Sequence, residues 1–231
     1  MIFKYQPIQY RHELKHKINM GEAMILKSRL QLMMKQDEHS LSDGSYYIHS
    51  LYFDTPYDQA LKEKLNGNLQ REKFRIRYYN NDLSFIRLEK KIKHNGLCAK
   101  RTTPITKQQV QSILNGDIEF LLYCQDPLMI EFYSKLKSEL LRPVTIVSYQ
   151  RSAFLYDVSR VRVTIDRNLY TYKDCSQFLN LKNNRIKVDH EYVLEVKYDE
   201  FLPEVIQKAL QGISRKTSAY SKFVKCRLVD W

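Results

Sequence analysis

A row of basic side chains at strand spacing is the first feature of this sequence that could carry chemistry. The segment Arg71–Tyr78 holds a cation at every second position, namely Arg71, Lys73, Arg75 and Arg77. Because successive side chains of a β-strand point to opposite faces, these four cations would share one face. Arginine and lysine are suited to binding phosphate oxygens. Like charges in a row repel one another, so the row needs either water or a bound anion beside it.

Other segments with strand periodicity also carry a charged face opposite an apolar one. Asn95–Gly96 predicts a two-residue type I′ hairpin turn whose register places Lys91 opposite Lys100. Directly opposed like charges destabilise a sheet by up to about 1 kcal/mol unless something relieves them. This lysine pair and the recurring cationic faces both favour a bound anion. The charged faces comprise Arg11, Glu13 and Lys15; Glu89, Lys91 and Lys100; Tyr149 and Arg151; Arg160 and Arg162; and Glu195 and Lys197.

Helices with recognisable starts alternate with about eight of these strands. Capping-box spacing and proline at the first helical position predict helix starts at Asn19 with Glu22, Thr55–Pro56, Thr106 with Gln109, and Asp126–Pro127. The predicted fold is α+β, a closed antiparallel β-barrel of about eight strands with helices packed around its apolar outer face. The charged faces would line the lumen, and a lumen of uncompensated cations would have to hold a polyanion. We expect one domain over residues 1–231, with the helices of about residues 106–142 inserted between strands.

Composition and cysteine usage agree with a folded, cation-rich protein. The 231 residues carry a formal net charge of +12, which indicates an anionic partner. The four cysteines are widely spaced, which favours reduced thiols over disulfides or a zinc site. The sequence shows no secretory signal and no apolar run long enough to span a bilayer. We therefore expect a cytoplasmic location, or one at a membrane through a partner protein.

Eight short motifs, spread in order over nearly the whole chain, carry a family resemblance. They are Arg11–Lys15, Leu51–Thr55, Arg75–Tyr79, Leu88–Lys91, Tyr149–Phe154, Arg162–Asp166, Leu194–Tyr198 and Ser221–Phe223. Together they resemble the VTC (vacuolar transporter chaperone) polyphosphate polymerase domain, a member of the triphosphate tunnel metalloenzyme superfamily. The resemblance implies a closed β-tunnel that passes the γ-phosphate of ATP or another nucleoside triphosphate to a polyphosphate chain. It also implies a divalent metal cofactor, Mn²⁺ or Mg²⁺, and a membrane-protein partner in a larger complex.

The same resemblance implies a role for each residue that matches the family pattern. Catalytic contacts to phosphate fall to Arg75, Arg77, Lys91, Arg151, Arg162 and Lys197. Further phosphate-binding positions are Lys15, Lys64, Lys100, Tyr149 and Lys222. The metal ligand is Glu195, with Glu13 and Glu89 as further candidates. Lys64 stands where other members have an arginine, and Ala219 stands where a second lysine is expected, for which Lys216 or Lys225 would have to substitute.

Three other functions fit part of the same pattern. A polyphosphate-binding sensor subunit without activity would keep the same cations. An inorganic or nucleoside triphosphatase, or a nucleotide cyclase, could use the same fold; a hydrolase would need Glu13 or Glu89 to orient water. A nucleic-acid-binding domain would place its cations on an outer surface among exposed aromatic residues. The cations here alternate with apolar residues on strands, so we expect no nucleic-acid partner. The phosphoryl acceptor of a polymerase is already anionic, which agrees with the absence of an evident Ser-His-Asp or Cys-His set.

Overall fold

The computed structural model describes residues 8–181, 184–212 and 219–229. Within them the chain is an α+β protein with ten strands and seven α-helices. The strands are β1 (His12–Ile18), β2 (Lys35–Gln36), β3 (Tyr46–Asp54), β4 (Gln70–Tyr79), β5 (Asp82–His94), β6 (Leu97–Pro104), β7 (Arg142–Tyr156), β8 (Val161–Tyr172), β9 (Arg185–Lys187) and β10 (Tyr192–Tyr198). The helices are α1 (Met20–Gln31), α2 (Gln59–Leu65), α3 (Lys107–Asn115), α4 (Phe120–Tyr123), α5 (Pro127–Ser138), α6 (Glu204–Ala209) and α7 (Lys222–Val229).

All ten strands belong to one antiparallel sheet. Its main path runs β1-β10-β8-β7-β3-β4-β5-β6, while β2 pairs with β7 and β9 pairs with β8. The edges meet at one bridge, where the N–H groups of Arg11 and Cys98 each donate to the other residue's carbonyl at 2.9 Å. No ladder continues from this bridge in the described part of the chain. Arg11 lies one residue before β1, and Cys98 is the second residue of β6, next to the hairpin turn. The predicted fully closed β-barrel is therefore not confirmed; the sheet curves until its edges touch, but a hydrogen-bonded ladder does not close it.

The predicted hairpin register is confirmed. His94 pairs with Leu97, and Lys91 pairs with Lys100, across the turn at Asn95–Gly96. Both turn residues have positive φ angles, 47° and 85°, as a type I′ turn requires. The turn therefore holds two lysines side by side on the inner face of the sheet.

The outer face of the sheet packs against helices, as the alternating pattern predicts. Phe74 and Ile76 of β4 lie in one core cluster with Phe132 of α5. A second cluster joins Leu26 of α1 to Val196 of β10 and to other residues of β7, β8 and α6. Helices α3, α4 and α5 follow one another between β6 and β7, within the interval in which inserted helices were expected. Because the even-numbered apolar residues of β4 are buried on one side, Arg75 and Arg77 lie on the other.

Local capping signals set most helix starts, with one error. The capping boxes at Asn19 and Thr106 form, and the carboxylate of Asp126 accepts from the first turn of α5. The predicted helix start at Thr55–Pro56 is wrong, because α2 begins only at Gln59. Asp54 reaches past the intervening turn, and its carboxylate accepts from the backbone N–H groups of α2 at distances of 2.8 and 3.1 Å.

Helix α7 packs on part of the inner face of the sheet. Phe223 and Cys226 are buried in one cluster with Tyr52 of β3 and Tyr149 of β7. A helix was expected over residues 218–225; Ser218 lies outside the described residues, and α7 begins four positions later. No helix in the described ranges is long and apolar enough to cross a bilayer.

Candidate phosphate-binding cavity

The inner faces of the strands line one large cavity. It has a volume of about 870 Å³, and side chains from eight strands and from α2 and α7 contribute to its wall. Among the residues that the structure describes, fifteen lysines and arginines line it, against three carboxylates, those of Glu13, Asp126 and Glu195. Ligand sites in proteins typically measure about 300–1,000 Å³, so a nucleotide-sized anion fits within this volume. The charge of the wall selects for an anionic ligand.

The structure brings all of the predicted phosphate-binding residues to this one cavity. Glu89 does not line it, because its side chain lies within the wall. Of the two lysines considered as substitutes at Ala219, Lys225 pairs with Asp189 and Glu191 away from the cavity, and Lys216 lies outside the described residues. The sequence spacing alone does not bring together residues as far apart in the chain as Glu13 and Lys222. The residues lining the cavity are Lys15, Lys64, Arg75, Arg77, Lys91, Lys100, Tyr149, Arg151, Arg162, Lys197 and Lys222, together with Glu13 and Glu195.

Glu13 and Glu195 form a joint charge cluster on the adjacent strands β1 and β10. Both contact Lys15, at 3.0 and 3.4 Å, and both contact Lys197, at 3.5 and 2.8 Å. Burial tends to raise the pKa of each carboxyl, but Lys197, Lys15 and, at Glu13, Lys91 outweigh it and hold both pKa values well below the usual glutamate range. Both carboxylates are therefore ionised at neutral pH.

Glu89 holds a second cluster together from inside the wall. It is 1% exposed, and its two oxygens accept from Arg75 at 2.7 Å and from Lys100 at 2.7 Å. Burial tends to raise the pKa of Glu89, but Arg75, Arg77 and Lys100 outweigh it and lower that pKa far below its usual value. The β4 and β5 register places Arg75 directly opposite Glu89. Glu89 thus positions arginines more readily than it could bind a metal.

Asp166 of β8 organises a third cluster. It is 1% exposed and accepts a bidentate pair of hydrogen bonds from Arg151, at 2.7 and 2.8 Å. The same carboxylate accepts from Lys222 of α7 at 2.6 Å. Burial raises and the two cations lower the pKa of Asp166, with a net shift downwards. This one carboxylate therefore fixes a cation from β7 and a cation from α7.

Two of the predicted arginines have partners that the sequence pattern did not indicate. Arg77 is buried and donates to Ser50 at 2.9 Å and to the Tyr149 hydroxyl at 3.4 Å. Arg162 donates to Asp37 at 2.6 Å, outside the sheet ladder. The Glu89 carboxylate lies 4.0 Å from the Arg77 guanidinium, at the limit of an ion pair, so the positive charge of Arg77 is only partly neutralised. Arg162 would have to share its guanidinium with Asp37.

The opposed lysines of the hairpin are relieved by carboxylates within the protein. Lys91 donates to Glu13 at 2.9 Å, and Lys100 donates to Glu89 at 2.7 Å. The sequence pattern suggested that this lysine pair needs a bound anion, but the pair is already neutralised within the protein. The evidence for an anionic ligand is instead the excess of cations over carboxylates in the whole cavity wall.

Sequence reasoning assigned no role to Asp166 or to Tyr52. Strand alternation puts Asp166 on the same face as Arg162, which is the signal that could have identified it. Its partner Arg151 could not be read from the sequence, because the turn Asp157–Ser159 between β7 and β8 carries no sequence signal that fixes the register. Tyr52 accepts a hydrogen bond from Arg75 at 2.8 Å, although its strand looks like a mainly buried apolar segment.

The acidic pair Glu13 and Glu195 fits the divalent cation that the family resemblance implies. The described residues contain no group of three or more His, Cys, Asp or Glu side chains that could hold a metal by themselves. Mg²⁺ is commonly held by one or two carboxylates together with substrate phosphates and water, and Mn²⁺ prefers the same oxygen ligands. Glu13 and Glu195, two ionised carboxylates on adjacent strands, match this kind of donor set.

Comparisons with known proteins agree with this architecture. Two solved structures, each described as a putative adenylate cyclase, share the fold. The protein from Bacillus halodurans is 14% identical, with 89% of this chain and 90% of that chain covered and a TM-score of 0.51. The protein from Vibrio parahaemolyticus is 12% identical, with 92% and 95% covered and a TM-score of 0.51.

A third solved structure, a protein from Pyrococcus horikoshii OT3, is 13% identical, with 94% of this chain and 98% of that chain covered and a TM-score of 0.51. Identities this low establish similarity of fold alone. No curated protein gives a significant match. The family model described as the VTC domain matches residues 10–229, which include every strand and nearly all of the cavity wall. The chain belongs to the VTC domain family.

Proposed function

We propose that this protein is a metal-dependent polyphosphate polymerase that transfers the γ-phosphoryl group of a nucleoside triphosphate such as ATP to a polyphosphate chain. The observation that carries the proposal is the excess of fifteen cations over three carboxylates around one cavity in a VTC-domain chain. Phosphoryl transfer depends mainly on positioning and on stabilising charge at the phosphate oxygens, and a dense set of fixed cations supplies both.

The arginines are suited to holding the triphosphate in one orientation. Arg75, Arg77 and Arg151 are held by Glu89, Ser50 and Asp166 respectively, so their guanidinium groups are fixed before the ligand binds. A fixed guanidinium loses little freedom when it binds a phosphate, and its planar fork matches two oxygens. These three arginines, from β4 and β7, are the proposed cradle for the β- and γ-phosphates.

Lys15 and Lys197 have a different role, because they are held by carboxylates that also fit a metal. We infer that an incoming phosphate takes over these ammonium groups, which would leave Glu13 and Glu195 as the residues that hold Mg²⁺ or Mn²⁺. The metal would neutralise charge on the phosphate oxygens when bound. The lysines, on flexible stems, can follow the phosphate without a change of fold.

The reaction needs no general base from the protein. A terminal oxygen of the polyphosphate acceptor, already deprotonated at neutral pH, forms a bond to the γ-phosphorus. The bond from that phosphorus to the β–γ bridging oxygen breaks, and the nucleoside diphosphate leaves with the electron pair. The acceptor is then one phosphate longer, and no proton has moved. Arg75, Arg77 and Arg151 would stabilise the charge that develops on the transferred group.

One observation favours an alternative, a polyphosphate-binding sensor without turnover. Oxygens of both Glu13 and Glu195 lie within 3.5 Å of a lysine nitrogen, and these pairs must separate before a metal binds. If a phosphate does not displace the lysines, the cavity would bind polyphosphate without a metal. A triphosphatase would use the same cations with water as the acceptor.

The experiment that separates these functions is incubation of the purified protein with ATP and Mn²⁺, followed by gel analysis of polyphosphate and an assay of free phosphate. We expect chains that lengthen with time. Free phosphate without chains would indicate a triphosphatase. Tight polyphosphate binding with neither product would indicate a sensor, and neither binding nor turnover would refute the proposed site.

A further inference from the structure

We propose that a basic strip, formed by Lys64, Arg71, Lys73 and Lys93, binds the part of a polyphosphate chain that extends beyond the triphosphate site. The inference deepens the proposed function, because it names where the longer chain lies. All four residues line the same cavity as the arginine cradle. Of the four, only Lys64 is a phosphate-binding position that the family resemblance implies; Arg71, Lys73 and Lys93 have no assigned role.

The strand register makes the strip continuous with the triphosphate site. Arg71 lies opposite Lys93, and Lys73 lies opposite Lys91, on the two strands that carry Arg75 further along. A strand rises about 3.4 Å per residue, so the strip extends about 14 Å from Arg75 along β4 to Arg71. A chain held at Arg75 can therefore pass along β4 and β5 without leaving the cavity wall.

The strip differs from the rest of the cavity in its lack of carboxylates. In the described part of the chain, none of its four cations forms an ion pair, whereas Lys15, Lys91 and Lys197 all do. Lys73 contacts the Phe223 ring instead, with its nitrogen 4.0 Å from the ring centroid.

Burial and mutual repulsion both lower the pKa of two lysines in the basic strip. Burial, assisted by Lys91 and Arg71, lowers the pKa of Lys73 to about 7, and only Asp54 opposes this. Burial also lowers the pKa of Lys64, with Arg71 and Lys93 acting in the same direction. Like charges directly opposed in a sheet are destabilising unless something relieves them. A bound polyanion would relieve all four at once.

Polyphosphate suits this strip better than a nucleic-acid strand. Its residues are half-buried in the wall of the cavity, where successive bases would have little room. Single-stranded nucleic-acid sites add exposed aromatic rings on which bases stack, yet the ring nearest the strip, Phe223, is buried beneath Lys73. A polyphosphate chain has no bases to stack, so cations alone are sufficient to bind it.

The test compares the binding of tripolyphosphate with that of a chain several tens of phosphates long, by titration calorimetry at fixed salt and pH. The variant is Lys73→Gln with Lys93→Gln. The matched control, Lys107→Gln with Lys187→Gln, removes two exposed lysines and the same net charge. A charge-assisted hydrogen bond is worth about tenfold or more in affinity. We expect the Kd of the long chain to rise at least about tenfold in the strip variant and to change little in the control, while the tripolyphosphate Kd changes less than about threefold.

Several outcomes would overturn the proposal. Equal losses for both ligands would make the strip part of the triphosphate site, and no loss for the long chain would leave the strip without a role. Tighter binding of single-stranded RNA than of polyphosphate, lost in the same variant, would assign the strip to nucleic acid. Should the double variant fail to fold, Lys93→Gln alone gives the same comparison.

The failure of the proposed function would look different. A wild-type protein that makes no polymer, but binds long chains more tightly than tripolyphosphate through Lys73 and Lys93, would refute the polymerase and support the strip. Synthesis of polymer with no change in long-chain affinity in the variant would support the polymerase and refute the strip.

Discussion

Replacing Asp166 with asparagine tests whether the buried carboxylates hold the cavity's cations in place. The substitution removes one negative charge and keeps the size of the side chain. Asp166 accepts from Arg151 and Lys222 at 2.6–2.8 Å and is 1% exposed. Breaking a buried ion pair by removing one partner costs about 3–5 kcal/mol, since the remaining charge has no partner. We expect Asp166→Asn to lower the free energy of unfolding by about 3 kcal/mol, the lower end, because the amide oxygen can still accept one hydrogen bond.

Asp157→Asn is the matched control. Asp157 pairs with Lys35 at 2.7 Å, a similar distance, but both side chains are largely exposed. Exposed ion pairs contribute about 0–1 kcal/mol. Urea unfolding followed by circular dichroism measures both variants. If Asp166→Asn lowers the free energy of unfolding by no more than the control does, the Asp166 ion pairs are not desolvated and the description of the third charge cluster is wrong.

A second measurement on the same variant tests whether Asp166 positions its two cations for a ligand. Asp166 fixes Arg151 and Lys222 before a phosphate binds, so tripolyphosphate should bind the variant more weakly, by about tenfold for one charge-assisted contact. At saturating tripolyphosphate this removes about 1.4 kcal/mol from the stabilisation by ligand relative to the wild type. Tighter binding to the variant would show that Asp166 competes with phosphate for the two cations instead of positioning them.

Three further predictions follow from single residues. The pKa of Lys73 is lowered to about 7 in the folded protein, against an ordinary lysine pKa of 10.5. Between these two pH values the unfolded chain binds the proton of Lys73 more tightly than the folded protein does. The free energy of unfolding of the wild type should therefore rise from pH 7 to pH 10.5. Lys73→Met should lack that part of the rise and be relatively more stable below pH 7; an equal difference from the wild type at pH 6 and pH 10 in urea unfolding would contradict this. Glu195→Gln should abolish Mn²⁺-dependent turnover of ATP while tripolyphosphate binding persists, and surviving turnover would remove Glu195 from the metal site. Asn95→Ala should lower the free energy of unfolding by about 1 kcal/mol because of the positive φ of 47°, whereas Asn95→Gly should be nearly neutral; equal effects in thermal melting would argue against the turn.

Short-range patterns in the sequence were enough to predict the local structure. Alternation placed Arg75 and Arg77 on the face opposite Phe74, and the turn at Asn95–Gly96 predicted the register of its hairpin residue by residue. The capping boxes at Asn19 and Thr106 also form. These features depend on backbone sterics and on hydrogen bonds between near neighbours, which the sequence displays directly. The composition likewise indicated an anionic ligand, because an excess of cations does not depend on the fold.

The tertiary structure alone decided which charges neutralise one another and where the cavity ends. Lys91 meets Glu13 across 78 positions, and Lys222 meets Asp166 across 56, through strands and a helix that only the fold brings together. Pairs so distant in sequence leave no periodic signal, and one register shift in β7 is enough to change every partner beyond it. The single bridge between Arg11 and Cys98, where the edges of the sheet meet, likewise joins residues far apart in the sequence and could not be predicted from local patterns. The sequence by itself therefore determined the charged faces, while long-range packing determined which cations remain free to bind an anion.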